Sequence, residues 1–466
     1  MLKTSKVLKM GRTEFKIALI VLITSAIYII EKNFSIVILS LYFMVLGAFI
    51  LKLAFKKDNY TTSLKLFFLF YIIYVSYSYI VYKTYIDDPL KDYFIGIDSI
   101  KYYEFTSSVL NNASSIPHGF KLITETFEYS DVRGYLYIHF IVGYLAESIG
   151  SNDYYVQQLI IVFFTSLIIV FFYNITLIFL KRNEAKIVTI TYGLFGHIFV
   201  YSSTLLRDIH ISLLFVLGFF ILFTKRSLLK LFILILINLL VFLFRTEHAI
   251  YFMIFVIYYI YLLLKDNNRK FQIVPLFLIS TAIFSYFLIN YNVIQYWGIL
   301  TNTTARYAEY ANESADQSGF GAALLNLPPG ISEFSRAAFS QILPFPIFYG
   351  VNTSRGVIKL LAFPIMFSAI IWITTWSFII YGIRKKGLRK FIPNQLKVVF
   401  FLSILLIIGA SSGSGDIRRL IPIYPIIILT SSVFYFKLTI AQRKGILIKS
   451  LIFIFGLHLI YFVLKF

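Results

Sequence analysis

Long apolar runs alternate with short polar segments along most of the chain, and this pattern predicts a bundle of membrane-spanning helices. A hydrocarbon layer of roughly 30 Å needs about 20 mostly apolar residues in a helix. The predicted fold class is therefore all-α, a polytopic transmembrane helix bundle. Thirteen spans are predicted, near 17–31, 35–55, 66–85, 155–180, 187–205, 209–224, 229–245, 249–264, 273–290, 357–382, 396–410, 419–436 and 446–464.

Two segments are too long to be simple connections between spans, and loops of that length are usually functional. The earlier one includes an amphipathic stretch at 134–148, which we expect to lie flat in the membrane interface. The predicted organisation is one integral membrane domain, 1–466, with two N-terminal spans in 1–65, a first external loop with its interfacial helix at 86–154 and a second external loop at 291–356.

Lysine and arginine clusters fall on one side of the predicted bundle, provided that residues 134–150 do not span the membrane. Such clusters mark the cytoplasmic side. The sequence therefore predicts a multi-pass protein of a bacterial inner (cytoplasmic) membrane, with a cytoplasmic N-terminus. The clusters lie within 1–16, 52–57, 181–186, 225–230, 265–270, 384–390 and 437–449.

The composition supports a membrane protein and narrows its partners. Hydrophobic residues make up 59% of the chain and charged residues 14%, and the mean hydropathy is +0.80, all outside the range of soluble domains. The formal net charge of +21 follows from topology and attraction to anionic membrane lipids, so nucleic acid is not an expected partner. No cysteine is present, and no histidine spacing indicates a transition-metal site. No cofactor is predicted, although a divalent metal is compatible with the sequence.

Charged residues also recur at the predicted outer ends of three short joints, where they have no role in orientation. A guanidinium group binds phosphate oxygens in a bidentate manner, which predicts a site for a lipid-linked pyrophosphate. Alternatively, each arginine extends to the interface or pairs with a neighbouring acid. The arginines are Arg207, Arg245, Arg418 and Arg419, and they are accompanied by Asp208, His210, Glu247, His248 and Asp416.

Sugar transfer to a hydroxyl group needs a base that takes the proton while the phosphate leaving group departs. Asp98 begins a predicted amphipathic helix in the first external loop and is the first candidate, with Glu247 and His248 as alternatives. Asp98 can instead be a helix N-cap or a solvated acid. Supporting residues predicted on the same side are Tyr102, Tyr103 and Arg336.

Several of these segments resemble known membrane proteins of bacterial polysaccharide assembly. The third span, Asp98-Ser99-Ile100-Lys101-Tyr102-Tyr103 and the stretch 134–148 look like the start of a GT-C-type glycosyltransferase. The resemblance implies a GT-C-like fold, undecaprenyl-linked glycan substrates and other polysaccharide-assembly proteins as partners. Four further segments are similar to the layout of O-antigen polymerases and family-39-like transferases. They are Leu206-Arg207-Asp208, Phe244-Arg245, Pro344-Phe345-Pro346 and Gly413-Ser414-Gly415-Asp416-Ile417-Arg418-Arg419.

One acid at Asp98 replaces the adjacent acidic pair of classical GT-C enzymes, which favours a polymerase. The resulting hypothesis is an enzyme of surface-polysaccharide assembly, for O-antigen of lipopolysaccharide or capsule, that joins undecaprenyl-pyrophosphate-linked glycan units on the outer face of the membrane. One alternative is a GT-C glycosyltransferase with a polyprenyl-monophosphate sugar donor. Another is a lipid-linked oligosaccharide transporter or flippase, although transporters commonly show paired repeats and midplane charges that are not evident here.

Overall fold

The computed structural model describes residues 12–87, 97–126, 132–266, 327–328, 331–342, 345, 347, 359–414 and 417–465. Every regular element in this part of the chain is helical, as the all-α prediction requires. The helices are α1 (Arg12–Glu31), α2 (Phe34–Ala54), α3 (Lys57–Tyr85), α4 (Ile97–Asn112), α5 (Ile116–Thr126), α6 (Arg133–Ile149), α7 (Tyr154–Phe179), α8 (Arg182–Phe195), α9 (His197–Tyr201), α10 (Arg207–Phe223), α11 (Leu228–Phe244), α12 (Thr246–Asp266), α13 (Ile331–Ser340), α14 (Lys359–Arg384), α15 (Lys386–Arg389), α16 (Asn394–Ser414), a 3-10 helix (Ile417–Ile423), α17 (Tyr424–Lys437) and α18 (Ile440–Lys465).

Within the described residues, seven helical segments are long and apolar enough to cross a membrane. They support the predicted transmembrane character but do not establish the predicted count of thirteen spans. The predicted span at 273–290 lies outside the described residues. The seven segments are Phe34–Ala54, Lys57–Tyr85, Tyr154–Phe179, Thr246–Lys265, Phe363–Arg384, Arg418–Lys437 and Ile440–Val463.

The predicted span at 187–205 is not one continuous helix. Helix α8 ends at Phe195, and the short α9 begins after Gly196, whose backbone is extended. A Cβ atom on Gly196 would collide with the Tyr192 carbonyl oxygen, so the break needs a residue without a side chain. The apolar run is long enough for a span, but glycine allows the helix to break before α10 begins.

Helix α7 is the centre of the bundle, and almost all of its side chains are buried. Its aromatic and aliphatic residues pack against α2, α3, α8 and α10. Two polar side chains on α7 form hydrogen bonds to α3, and such bonds hold helices together in an apolar surrounding. Asn174 Nδ2 donates to Ser63 Oγ at 2.9 Å, and Gln158 Oε1 accepts from Ser78 Oγ at 3.0 Å. These two hydrogen bonds hold α3 against α7.

Basic residues gather at one end of the bundle, which we call the lysine-rich end. It is the end at which α2, α7, α10, α14 and α17 finish. Arg182 at the start of α8 donates to the Asp58 carbonyl oxygen at 3.4 Å. Gln395 at the start of α16 donates to the Leu222 carbonyl oxygen. These contacts bring separate basic joints together, and we call the opposite end the α6 end.

Helix α6 lies across the α6 end of the bundle. Gly134, near the start of α6, packs against Leu243 at the end of α11. Near its last residue, the Ala146 carbonyl oxygen accepts a hydrogen bond of 2.7 Å from Ser35 Oγ at the start of α2. Since Leu243 and Ser35 both lie at the α6 end, α6 does not run from one end of the bundle to the other.

Two further short helices cover α6. Phe120 of α5 packs against Phe140 of α6, with ring centroids 6.0 Å apart. Tyr102 of α4 packs against Tyr135 of α6, with ring centroids 5.1 Å apart. Helices α4, α5 and α6 thus form a layer over the ends of α7, α10 and α11.

The position of α6 can be tested by cysteine labelling, because the natural chain contains no cysteine. Thr126→Cys before α6 and Ser148→Cys near its end replace exposed residues. We expect a membrane-impermeant maleimide to label both from the same side of the membrane. The exposed Lys386→Cys at the lysine-rich end should be labelled from the other side. Labelling of Thr126→Cys and Ser148→Cys from opposite sides would show that α6 crosses the bilayer.

A second test concerns the close contact between α6 and α11. A Cβ atom on Gly134 would lie 2.9 Å from the Leu243 carbonyl oxygen. Gly134→Ala should therefore lower the stability by about 1–3 kcal/mol, as overpacking does. The matched control is Gly445→Ala in α18, where no atom lies within 4 Å of the added Cβ. Thermal unfolding in detergent measures both, and equal unfolding temperatures would contradict the proposed contact.

Candidate functional site

Three short joints meet at the α6 end and bring the four predicted arginines together. Arg207 begins α10, Arg245 joins α11 to α12, and Arg418 and Arg419 lie in the 3-10 helix. Helix α10 packs against both α11 and the 3-10 helix, so the joints are neighbours. Arg245 interacts electrostatically with Arg207 and Arg419, and Arg418 interacts with Asp208. We call Arg207, Arg245, Arg418 and Arg419 the arginine cluster.

The most buried part of the cluster is an ion pair. Arg245 Nη1 lies 2.7 Å from Asp208 Oδ1, and the two side chains are only 7% and 2% exposed. Asp208 lies in the first turn of α10, where the helix dipole favours a negative charge. Each buried charge compensates the other. For Arg245, the structure therefore shows the pairing with an acid that the sequence had left as an alternative.

The other three arginines are partly exposed. Arg207 Nη1 donates to the Phe244 carbonyl oxygen at 3.1 Å, which caps the last turn of α11. Arg418 Nη1 lies 3.0 Å from Asp98 Oδ2, and these side chains are 29% and 40% exposed. Arg207, Arg418 and Arg419 are thus the members of the cluster that an outside anion can reach.

His248 contacts the backbone of the cluster. Its Nε2 lies 2.9 Å from the Arg419 carbonyl oxygen. Because a carbonyl oxygen only accepts, Nε2 carries the proton and Nδ1 is left as an acceptor. Nδ1 is buried and, within the described part of the chain, has no hydrogen-bond partner. This geometry favours a positioning role for His248, since it holds the backbone of Arg419.

Glu247 is a second candidate base beside the cluster. Its carboxylate interacts electrostatically with Arg245. The Oε2 atom is buried and makes no hydrogen bond to any residue that the structure describes. Glu247 is thus close enough to Arg245 to interact with its charge, but no observed contact orients it.

Tyr102 and Tyr103, although adjacent, face different parts of the molecule. Tyr102 interacts electrostatically with Arg207 and Asp98. Burial raises the pKa of Tyr102, against the opposite effect of Arg207, so its hydroxyl keeps its proton and can donate a hydrogen bond. Tyr103 instead donates to the Asn152 carbonyl oxygen at 3.5 Å and packs against Tyr154. Only Tyr102 therefore lies beside the arginine cluster.

The remaining predicted residues are less directly placed. His210 is buried among aromatic rings, with its ring centroid 5.3 Å from that of Phe244 and 4.9 Å from that of Phe164. Arg336 lies on α13, a helix that packs against α16. Asp416 lies outside the described residues. The structure thus assigns His210 a packing environment rather than contact with the cluster.

The sequence did not predict a hydrogen-bonded group of polar side chains that lies beside the arginine cluster. His139 Nδ1 donates to Gln157 Oε1 at 2.7 Å, and Gln157 Nε2 donates to Asn152 Oδ1 at 2.6 Å. Tyr135 packs between His139 and Tyr102. Tyr135 and His139 are four residues apart on the amphipathic stretch, so they share a helix face, and this spacing was a usable signal. Gln157 carries no comparable signal.

The charges of the site suit an anion. Among the described side chains of the site, the four arginines are accompanied by the carboxylates of Asp98, Asp208 and Glu247, so the positive charges outnumber the negative ones by one when His248 is neutral. Among the described residues, no group of three or more histidine or acidic side chains could hold a metal ion. The hydrogen-bond donors of the site are the guanidinium groups of the arginines and the phenol of Tyr102. Guanidinium groups bind oxyanions by charge-assisted hydrogen bonds.

No family model, curated protein or solved structure matches this chain. The resemblance to polysaccharide polymerases and GT-C enzymes therefore stays a prediction, and the function has to be inferred from the geometry of the site.

The buried ion pair leads to a stability prediction. Asp208→Asn leaves the charge of Arg245 buried without its partner, and we expect a loss of about 3–5 kcal/mol. The double variant Asp208→Leu with Arg245→Met removes both charges and should recover most of the stability, because apolar residues often replace buried pairs well. Thermal unfolding in detergent measures the effect. If Asp208→Asn unfolds at the wild-type temperature, the pair does not stabilise the fold.

Proposed function

We propose that this protein is a membrane glycosyltransferase of the polysaccharide-polymerase type, which joins glycan units carried on undecaprenyl pyrophosphate. The observation that supports the proposal best is the meeting of four arginines, from three joints distant in sequence, at one end of an apolar helix bundle. Such a site suits an amphiphilic ligand, with a phosphorylated head at the helix ends and an isoprenoid tail along the apolar surface.

In the proposed reaction, the bond between the anomeric carbon and the pyrophosphate oxygen breaks, and the acceptor hydroxyl oxygen bonds to that carbon. Arg207, Arg418 and Arg419 bind the departing pyrophosphate, and such electrostatic stabilisation contributes several kcal/mol, on the order of 3 per donor. The Arg245–Asp208 pair is more deeply buried and supports these three arginines. A carboxylate takes the hydroxyl proton. Asp98 is our first choice because it lies beside Arg418.

The same proposal includes the orientation of the protein. The lysine-rich end faces the cytoplasm by the positive-inside rule, which places the N-terminus in the cytoplasm and the arginine cluster at the outer face of a bacterial inner membrane. The product is O-antigen or capsule, and the architecture is GT-C-like with thirteen spans. Membrane lipids and other polysaccharide-assembly proteins are the proposed partners.

The proposal can be tested in a deletion strain by analysing lipopolysaccharide and capsule on gels. We expect the deletion to yield a single repeat unit in place of long chains, and the wild-type gene to restore them. Arg419→Gln should lower the polymerisation rate by about 10²- to 10³-fold, as the loss of an oxyanion-binding group does. Lys386→Gln, an exposed residue at the lysine-rich end, is the control and should restore long chains. Immunoblots verify that each variant reaches the membrane.

Other outcomes would identify the alternatives. Unchanged chain length in the deletion strain would reject the proposal. Loss of one sugar from chains of normal length would favour a GT-C transferase with a polyprenyl-monophosphate donor. Accumulation of complete lipid-linked units in the cytoplasmic leaflet would favour a flippase.

A further inference from the structure

The ion pair between Asp98 and Arg418 occupies one of the guanidinium groups that a ligand can reach. Asp98 Oδ2 lies 3.0 Å from Arg418 Nη1. A carboxylate and a phosphate use the same guanidinium donors in the same planar geometry. Because both side chains are partly exposed, an incoming phosphate can compete with Asp98 for Arg418.

We propose that the Asp98 carboxylate occupies the anion site when no ligand is bound, and that the phosphate group of a lipid-linked ligand displaces it from Arg418. This inference rests on the proposed function, since it takes a prenyl pyrophosphate as the ligand. Displacement leaves the Asp98 carboxylate beside the bound ligand, with both oxygens free to accept a proton from a hydroxyl group. The base thus becomes available only after the leaving group is held.

The two sides of the pair are anchored independently, so the pair can open without moving the site. On the Arg418 side, His248 holds the carbonyl oxygen of Arg419, and Leu420 and Ile421 are buried. Arg418 therefore stays in place when Asp98 leaves.

On the other side, Asp98 lies in the first turn of α4. The buried residues Ser99, Ile100 and Thr106 follow it, and Tyr102 packs against Tyr135 of α6. The body of α4 therefore stays docked, and the displacement requires only the Asp98 side chain and the first turn to move.

The ion pair is a modest barrier to the ligand. Half-exposed pairs contribute little to stability, because water screens them and both side chains lose rotational freedom. A pyrophosphate carries more negative charge than a carboxylate and forms more hydrogen bonds to guanidinium groups. The ligand therefore wins the competition for Arg418, while a weak anion such as acetate does not.

The test measures binding of farnesyl pyrophosphate to the purified full-length protein in detergent by calorimetry. Asp98→Asn should bind it about two- to fivefold more tightly than wild type, the value of a half-exposed ion pair. Glu104→Gln is the matched control, because it removes the same charge from an exposed position on the same helix. It should bind with the wild-type affinity.

Hydrogen exchange gives a second measurement, which does not rely on a comparison of affinities. In the wild type, farnesyl pyrophosphate should increase exchange in the first turn of α4, because the contact with Arg418 is lost. In Asp98→Asn the first turn should exchange faster from the start and respond little to the probe.

The outcomes separate this inference from the proposed function. The displacement of Asp98 is contradicted if the probe binds, Asp98→Asn gains no more affinity than Glu104→Gln, and hydrogen exchange in α4 does not change. That result would still support an anion site at the arginine cluster. If the probe binds none of the three folded proteins, the proposed function itself is contradicted.

Discussion

The buried pair of Arg245 and Asp208 is the interaction on which the α6 end depends. A charge without a partner in an apolar surrounding is costly, so each residue must face the other once the helices pack. Asp208 belongs to the start of α10, and Arg245 connects α11 with α12. Their 2.7 Å contact therefore ties three helices together at one depth in the bundle. The remaining polar contacts of the site are built around this connection.

Two backbone contacts extend the connection to the rest of the cluster. Arg207 donates to the Phe244 carbonyl oxygen, and His248 donates to the Arg419 carbonyl oxygen. The Phe244 carbonyl ends α11 and so has no partner within that helix. The residue that would donate to the Arg419 carbonyl in a 3-10 helix is Pro422, which has no N–H group. The result is a group of positive charges held by backbone rather than by flexible side-chain pairs alone. Such preorganisation is what an anion site needs, because the arginines do not have to be reorganised when the ligand arrives.

Helix α6 decides which face of the cluster is accessible. It packs against α2, α7 and α4, and its Tyr135 ring lies against His210 near the start of α10. Tyr102 and Asp98 thereby reach the arginines, although more than 100 residues separate them from Arg207 in the chain. The buried contact of His139 with Gln157 fastens the middle of α6 to the first turn of α7. The layer of short helices is therefore part of the site as well as its cover.

The sequence by itself determined the apolar helical bundle, since hydrophobic periodicity depends only on neighbouring residues in the chain. It also grouped Arg207, Arg245 and Arg418, because residues at short joints on one side of a bundle must lie at one end. Only the tertiary structure decided which groups pair. Arg245 is buried with Asp208, Arg418 holds Asp98, and Tyr103 points away from the cluster. Rotation of helices about their axes and the crossing of α6 determine those partners, and packing across the whole bundle sets both.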